Sequence, residues 1–356
     1  MLFIKLTMAS KVVFLLFFIL SFALKINAQS VNISNFKEFN LHDTSIRAIE
    51  IVNDSILWFA GSNGNYGRIK NNSIEMFSAK EIDSKKLHFR SIAFNGDHIF
   101  LLSIENPAIL LKVNPFGENI GVSKIVYQEH HEKVFYDSMK FIDKNNGIAI
   151  GDPTDGCLSI ILTQDAGNTW QKSPCEKSPV LLEGEAAFAA SNTNIAIIRN
   201  TVYVVTGGKK SRLFKSSNKG NDWEVYDSPI VQGKTMTGAF TVDFYNKNNG
   251  IMMGGNWEEK QNYSNTKATT QNGGKTWKLI HNNQMPGYLS CVQYIPDTKG
   301  KGIMAVSTEG IYYSNNKGNS WKKISDKSFY TIKFVDKNTA WLAGNNKIAK
   351  INLQFN

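Results

Sequence analysis

The fold of this chain is decided by the stretch Thr163-Gln-Asp165-Ala-Gly167-Asn-Thr169-Trp170. The same eight-residue motif, Ser/Thr-x-Asp/Asn-x-Gly-x-x-Trp, occurs four times, and its final tryptophans are separated by 53, 54 and 44 residues. A repeat of that length is typical of proteins in which each repeat forms one supersecondary unit. The other copies are Ser216-Ser-Asn218-Lys-Gly220-Asn-Asp222-Trp223, Thr270-Gln-Asn272-Gly-Gly274-Lys-Thr276-Trp277 and Ser314-Asn-Asn316-Lys-Gly318-Asn-Ser320-Trp321.

Each copy of the motif predicts a tight turn between two β-strands. The first and third side chains can bind the turn backbone, and the glycine supplies a positive φ. The tryptophan then begins the return strand and covers the turn with a large apolar ring. We therefore expect structural roles for Asp165, Gly167, Trp170, Asn218, Gly220, Trp223, Asn272, Gly274, Trp277, Asn316, Gly318 and Trp321.

The motif resembles the Asp box, or BNR (bacterial neuraminidase) repeat, which is found in sialidases and in many other β-propellers. The chain is also similar to the photosystem II stability/assembly factor-like proteins, which are secreted propellers that carry such boxes. These resemblances imply a β-propeller fold. They imply little about chemistry, since sialidases and proteins without enzymatic activity share the boxes.

A second recurring phrase precedes the motifs and supplies the other strands of each unit. It reads Lys140-Phe-Ile-Asp-Lys-Asn-Asn-Gly147-Ile-Ala-Ile-Gly151 in one unit and Val242-Asp-Phe-Tyr-Asn-Lys-Asn-Asn-Gly250-Ile-Met-Met-Gly254 in another. Each phrase predicts a strand, a polar turn and an apolar second strand. Together with the hairpin that follows, it makes one four-stranded blade, with strands A to D in chain order and A innermost.

The count of these units predicts an all-β fold, a seven-bladed β-propeller of four-stranded antiparallel blades. The last unit is one strand short, and residues 35–41 form a spare strand before the first unit. We therefore expect an N-terminal strand to close the ring. A six-bladed ring stays open as an alternative, because the first two units lack the motif. The predicted units are 45–78, 90–128, 136–173, 185–227, 238–282, 289–324 and 329–355.

The first 28 residues have the pattern of a secretory signal peptide. Lys5 and Lys11 precede the apolar residues 12–23, and Ile26-Asn27-Ala28 fits a cleavage site. The alternative is an N-terminal membrane anchor. We expect residues 1–28 to be removed and residues 29–356 to form a single propeller domain, secreted or periplasmic and without stable membrane insertion.

The charge distribution favours a soluble surface over a nucleic-acid interface. The formal net charge is +10, but most lysines stand in turns beside asparagine and glycine, as Lys219, Lys275 and Lys317 do. We expect a monomer whose partner is a protein or a glycan or other small polar ligand, and no nucleic acid.

The three cysteines predict no metal site, because no Cys-x-x-Cys or Cys/His spacing accompanies them. Cys157 and Cys175 flank one motif turn almost symmetrically, so they either form a disulfide across the hairpin or are two small buried side chains. Cys291 fits a packed thiol. No haem motif, dinucleotide fingerprint or metal cluster indicates a cofactor.

Strand direction places the candidate site away from the motifs. The A–B turns and the motif turns between strands C and D should share one side of the ring, which we call the turn face. The B–C loops and D-to-A connections should share the other, the loop face, and these loops vary most in length and chemistry. The candidate ligand-binding residues there are Asp152, Asp155, Glu183, Glu185, Arg212 and Trp257.

Three classes of function compete. A binding or assembly propeller without catalysis is the class that the photosystem II assembly factor-like resemblance implies. A sialidase-like glycoside hydrolase would need an arginine cluster. The chain has five arginines and lacks the Arg-Ile-Pro sequence of that family. The third class is a redox propeller, an oxidoreductase. We expect binding without turnover, with no catalytic residue.

Overall fold

The computed structural model describes residues 30–280 and 284–356, which form β-strands, turns and one short 3₁₀ helix, Cys175–Lys177. The predicted signal peptide, residues 1–28, lies outside the described residues. Within the described part, no helix has the length and apolar character needed to cross a membrane. Almost the whole fold lies in one compact unit, Val31–Gln354. In the second unit, Ser30 and Asn356 exchange two backbone hydrogen bonds of 3.2 and 3.0 Å.

The strands are short and follow one another closely, as the repeated phrases predict. The first fourteen are β1 (Val31–Asn53), β2 (Ile56–Gly61), β3 (Asn65–Lys70), β4 (Ser73–Ser78), β5 (Phe89–Phe94), β6 (Ile99–Ser103), β7 (Ala108–Val113), β8 (Ser123–Glu129), β9 (Tyr136–Phe141), β10 (Gly147–Gly151), β11 (Ser159–Thr163), β12 (Gln171–Lys172), β13 (Glu185–Ala186) and β14 (Ile195–Ile198). The others are β15 (Thr201–Val205), β16 (Gly207–Gly208), β17 (Arg212–Ser216), β18 (Glu224–Asp227), β19 (Thr237–Phe244), β20 (Gly250–Asn256), β21 (Lys267–Thr270), β22 (Lys278–Leu279), β23 (Cys291–Tyr294), β24 (Ile303–Ser307), β25 (Gly310–Ser314), β26 (Lys322–Ser325), β27 (Thr331–Phe334) and β28 (Thr339–Phe355).

The described strands form six sheets, four of them with four strands and two with six. Neighbouring strands in the four-stranded sheets run antiparallel. The strand orders are β27-β28-β1-β2-β3-β4, β5-β6-β7-β8, β9-β10-β11-β12, β13-β16-β19-β20-β21-β22, β14-β15-β17-β18 and β23-β24-β25-β26.

The prediction of seven blades is wrong. With each sheet counted as a blade, the structure is a six-bladed propeller, because the first and last predicted units share one sheet. The physical reason is the length of two strands. β1 has 23 residues and β28 has 17, and they are neighbours in that sheet, so hydrogen bonding continues from one predicted unit into the other.

The hydrophobic core lies in layers between successive sheets. Side chains of β6 show this most clearly, because they alternate between two layers. Leu101 packs in a cluster with Trp58, whereas Phe100 packs with Met139 and Ile161 in the next cluster. All five side chains are fully buried. This two-residue alternation is what the strand geometry requires of a sheet that is covered on both faces.

The innermost strands of the sheets form a closed ring around a central space, which we call the channel. Each of these strands contacts the next, and the last contacts the first, so that no end of the ring is left open. The six-stranded sheet that contains both chain ends contributes two of them, β27 and the second half of β1. The ring runs through β1, β5, β9, β14, β19, β23 and β27.

The motif turns are held by their own side chains. The first-position hydroxyl accepts a hydrogen bond from the glycine N–H, at 3.0 Å from Thr163 to Gly167 and 2.8 Å from Ser216 to Gly220. The third-position side chain accepts from the N–H four residues later, as Asp165 does from Thr169 at 3.0 Å. Gly167 has a φ of 74°, which an ordinary side chain disfavours.

The four motif tryptophans are not equivalent. Trp223, Trp277 and Trp321 are partly buried and donate their indole N–H to the carbonyl of their own motif glycine, at 3.1, 3.0 and 2.7 Å. Trp170 is buried and packs edge-on against Phe141, and its indole nitrogen has no hydrogen-bond partner in the described part of the chain. The ring of Trp170 therefore contributes through packing alone.

We expect loss of the Trp170 ring to lower the free energy of unfolding strongly, and loss of its indole nitrogen alone to lower it much less. Trp170→Ala should lower the free energy of unfolding by ~3–5 kcal/mol, as truncation of a buried aromatic side chain does. Trp170→Phe should cost clearly less, because it keeps the packing and deletes an unpaired donor. Urea denaturation measures both values, and equal losses in the two variants would contradict this account.

Deletion of residues 29–42 from a protein that spans residues 29–356 should destabilise the propeller. It removes the half of β1 that lies beside β28, including the buried Phe39, which packs on Trp341 with ring centroids 5.7 Å apart. The deletion also leaves β28 as an exposed edge. We expect the Tm to fall by more than about 5 °C. A truncated protein that melts like the protein of residues 29–356 would show that the first half of β1 does not stabilise this sheet.

Candidate functional site

The turn face is occupied by hydrogen bonds between turns. The backbone N–H of Ala166 in the first motif donates to the Asn145 carbonyl in the A–B turn of the same sheet, at 3.0 Å. Lys219 and Lys317 in two further motifs make the equivalent bonds, at 3.1 and 3.0 Å. The motif turns thus share a face with the A–B turns, and their polar groups serve the fold.

The loop-face end of the channel is shaped by β-bulges. At this end of β1, β5, β9 and β19 the pairing with the next strand skips one residue, so that this residue has no partner across the ladder. A bulge re-aims the side chain of its extra residue, and bulges are frequent beside functional sites. The skipped residues are Arg47, Arg90, Asp137 and Phe240.

We call six polar residues at this end of the channel the mouth cluster. They come from five different segments, which the ring brings together. Two are bulge arginines, one is a bulge carboxylate, and the other three flank them. The members are Arg47, His88, Arg90, Asp137, Asp152 and Tyr330.

The Arg47 guanidinium lies over an aromatic ring, but not all of its N–H groups form hydrogen bonds. Its guanidinium carbon lies 4.2 Å from the centroid of the Tyr330 ring, a distance typical of a cation–π contact. One terminal nitrogen donates to the Ala190 carbonyl at 3.3 Å. The Nε atom is buried and has no hydrogen-bond partner among the described residues.

Arg90 and His88 also carry buried nitrogens that have no hydrogen-bond partner in the described chain, Nε in Arg90 and Nε2 in His88. Burial, together with the charge of Arg47, lowers the pKa of Arg90 to about 10. Burial and the two arginines lower the pKa of His88 to about 4, so its ring is neutral at pH 7. The mouth cluster therefore holds positive charge in a place where water solvates it poorly.

Two carboxyl groups face these cations. Asp137 is completely buried, and burial raises its pKa well above the ordinary value, with Asp152 adding to the rise and Arg90 opposing it. The Ala189 amide is close enough to lower that pKa, but neither Asp137 oxygen has a partner with normal hydrogen-bond geometry in the described chain. Burial raises the pKa of Asp152 to about 6, although its Oδ1 accepts from the Ala187 N–H at 2.9 Å.

The floor of the mouth is a segment that crosses the channel, residues 187–193, which we call the plug. Its backbone contacts the mouth cluster through Ala187 and Ala190. Further along, the Asn192 side chain donates to the Ile92 carbonyl at 2.8 Å and accepts from the Met139 N–H at 2.9 Å. Because these bonds reach innermost strands on several sides, the plug divides the channel into two ends.

The plug is also anchored at its other side. The Ser191 hydroxyl donates to the Ser290 carbonyl, and the Thr331 hydroxyl donates to the Ser191 carbonyl at 3.2 Å. Three aromatic rings pack together beside these bonds. The Phe240 ring stacks on Phe188 of the plug, with ring centroids 4.0 Å apart, and meets the Tyr288 ring edge-on, with centroids 4.9 Å apart. The mouth thus combines cations, carboxyl groups and flat apolar surface.

Of the residues that the sequence singled out, Asp152 lies in the mouth cluster. Glu185 and Arg212 instead bind each other, with both carboxylate oxygens 3.0 Å from the arginine Nε. The Glu185 side chain is fully buried and also accepts from the Leu182 N–H at 3.0 Å. This ion pair fixes the segment that leads into the plug, and both its charges are satisfied.

The other three predicted residues lie at the surface. Glu183 is exposed and pairs with Lys209 at 3.0 Å. Asp155 is exposed and accepts from the Thr154 hydroxyl at 3.0 Å. Trp257 is 43% exposed, with Lys260 Nζ 5.2 Å from its ring. The structure does not bring these three side chains into the mouth cluster.

Sequence reasoning missed Arg47, His88, Arg90, Asp137 and the plug. A usable signal existed, because Arg47-Ala-Ile, Arg90-Ser-Ile and Asp137-Ser-Met occupy the same place in their repeats. Polar residues at one repeat position on successive innermost strands must meet around the channel. For the plug, no periodic pattern was available.

The structure contains a disulfide between Cys157 and Cys175, whose Cα atoms are 5.7 Å apart. Cys291 is buried as a free thiol, and burial raises its pKa. Across residues 30–280 and 284–356, no three His, Cys, Asp or Glu side chains are grouped so that they could hold a metal ion.

Comparisons with known proteins identify the fold and no family. No protein-family model matches the chain, and no curated protein matches it. Among solved structures, YCF48 bound to D1 peptide is similar, with a TM-score of 0.63, 13% identity, and 91% of this chain and 99% of that chain covered. YCF48 from Cyanidioschyzon merolae follows, with a TM-score of 0.62, 10% identity, and 90% and 99% covered.

A propeller of the WD40 type is nearly as similar. The WD40 β-propeller domain of Doa1 matches with a TM-score of 0.60, 10% identity, and 91% of this chain and 97% of that chain covered. Identities this low are evidence of a shared fold only. The chain is therefore similar in structure to YCF48 and to other β-propellers.

We expect Arg212→Ala to destabilise the protein by about 3–5 kcal/mol, because it leaves the buried Glu185 carboxylate without its cation. The matched control is Lys209→Ala, which breaks the exposed pair with Glu183 and should change stability little. Urea denaturation of both variants checks this. Similar small losses in the two would mean that Glu185 is solvated after all.

Proposed function

We propose that this chain is a binding β-propeller without catalysis, of the photosystem II assembly factor-like kind, that binds a protein partner at the mouth cluster of the loop face. The observation that carries the proposal is the set of bulges, which turn Arg47, Arg90 and Asp137 into the channel mouth. Their buried polar atoms lack partners, and such atoms cost free energy unless a ligand satisfies them.

The chemistry of the unpaired atoms suits a peptide. Arg47 and Arg90 offer N–H donors for a carboxylate or for backbone carbonyls, whereas Asp137 accepts from N–H groups. A peptide segment presents both kinds of group side by side, and the Phe240 and Tyr288 rings add apolar contact area. A glycan or another small polar ligand could use the same donors and acceptors, and it is the runner-up within this proposal.

The likeness to YCF48, a photosystem II assembly factor, supports a protein partner, since one of those structures is bound to D1 peptide. We further propose that the eight-residue motifs are Asp boxes of the BNR type. The mature protein would be a secreted or periplasmic monomer that has lost residues 1–28 and does not stay inserted in a membrane. Nothing in this proposal requires that the partner belong to a photosystem.

Binding should depend on the two bulge arginines. Tagged mature protein is incubated with an extract of its source cells and cross-linked, and the captured protein is then purified and titrated by calorimetry. We expect Arg47→Gln/Arg90→Gln to weaken the affinity by at least about tenfold. The control Lys209→Gln removes an exposed cation from the same face and should bind normally. Unchanged affinity in the double variant, at an unchanged Tm, would refute the proposal.

A sialidase-like glycoside hydrolase is the second candidate. The observation in its favour is the pair of carboxyl groups Asp137 and Asp152, whose pKa values burial raises, because glycosidases need a carboxyl group that stays protonated as an acid. The test assays the mature protein against aryl sialosides and aryl glycosides. Turnover that falls above about pH 6 and disappears in Asp152→Asn, but not in the exposed control Asp155→Asn, would replace the binding proposal.

A further inference from the structure

A second cavity lies at the opposite end of the channel, on the turn face. Its volume is about 410 Å³, and the innermost strands form its walls. Thr193, at the end of the plug, is among the lining residues, so the plug closes the inner end of this cavity. The charged and amide side chains that line it are Glu50, Lys140, Arg199, Asp243, Gln293 and Lys333.

Both carboxylates of the cavity already have partners. Glu50 forms an ion pair with Lys333. Asp243 accepts from the Tyr294 N–H at 2.7 Å and from the Phe244 N–H at 2.9 Å. Burial raises the pKa of Asp243 to about 6, against these two bonds and the nearby charge of Lys140, so its carboxylate is only a weak counter-charge for that lysine.

Two cations remain without a partner. Neither the side chain of Lys140 nor that of Arg199 forms a hydrogen bond or an ion pair with any residue of the described chain, whereas the Lys333 side chain near Lys140 is paired with Glu50. Burial, with Lys333 nearby, lowers the pKa of Lys140 to about 8, although Glu50, Cys291 and Asp243 oppose that shift. The ammonium of Lys140 is thus poorly compensated inside the channel, and Arg199 lies exposed at its rim.

Further unused hydrogen-bonding capacity lies on two of the strands that form the cavity walls, two residues before the residues that line the cavity. Ser138 is two residues before Lys140 in a regular stretch of β9, so both side chains point to the same side of the strand. The Ser138 hydroxyl is completely buried and has no hydrogen-bond partner among residues 30–280 and 284–356. Ser91, two residues before the cavity-lining Ala93 on β5, has an unpartnered hydroxyl in the same position. Such buried hydroxyls are rare and call for a ligand group or water.

We propose that this turn-face cavity is an anion site, in which Lys140 and Arg199 bind one small phosphate or carboxylate group. An anion would compensate the Lys140 ammonium, and the guanidinium of Arg199 would bind it from the rim. The plug limits the ligand to a compact molecule, since the cavity is at the lower end of the range for small-molecule sites. This site is separate from the mouth cluster.

The test titrates inorganic phosphate and malonate, in separate calorimetric experiments, into the mature protein in a low-salt buffer free of both anions. We expect at least one of them to bind, and Lys140→Gln to weaken that binding by at least about tenfold. Lys140→Arg keeps the charge and should retain affinity. The matched control is Lys247→Gln, an exposed lysine in a turn of the same face, which should bind like the wild type.

A second readout separates binding from folding. Acetylation of lysines by an acylating reagent, followed by mass spectrometry, should label Lys140 in the free protein, and the bound anion should protect it while Lys247 stays reactive. Binding of phosphate alone would identify a phosphate site, and binding of malonate alone a carboxylate site. Absence of heat with both anions, or equal affinity in a folded Lys140→Gln variant, would overturn the proposal.

Discussion

The structure depends on the filling of its central channel. Innermost strands arranged in a closed ring cannot interdigitate across the axis as two packed sheets do, so the space between them must be occupied or left to water. The plug occupies it. Its small side chains, among them Ala187, Ala190 and Ser191, fit between the strands, and its polar groups bind strand backbones that lie far apart in sequence.

The plug gives the two ends of the propeller different chemistry. On the turn face, motif side chains and A–B turns satisfy one another, and the remaining cavity holds cations with few partners. On the loop face, the bulges of the innermost strands turn charged side chains toward the mouth and leave several of their buried atoms unbonded. In the function that we propose, fold stability and ligand binding therefore depend on separate residues. Arg212 illustrates the distinction, because its ion pair with Glu185 leaves it little capacity for a ligand.

Local features of the structure could be predicted from the sequence, and long-range ones could not. The hairpins followed from the motif, because its hydrogen bonds join residues four positions apart, as from Thr169 to Asp165. The number of blades did not follow, since it depends on how two long strands from opposite ends of the chain pair. The ion pair between Glu185 and Arg212 could not be predicted for the same reason, because the sequence shows only two charged loop residues and not that they pair. The bulges limited the prediction of the site most. A bulge turns the side chain of a skipped residue such as Arg47 in a new direction, while the position of that residue in the repeat stays the same.

The central claim is that partners meet this propeller at the loop face, above the plug. The most direct measurement places the photo-crosslinking residue p-benzoylphenylalanine at Trp257, on the loop that reaches Tyr288, and in a second protein at Gln164, which is exposed in the first motif turn. Both proteins are irradiated in an extract of the source cells, and the products are identified by mass spectrometry. The account predicts one specific protein adduct from position 257 and none from position 164. An adduct from position 164 alone would place the working surface on the turn face and contradict it.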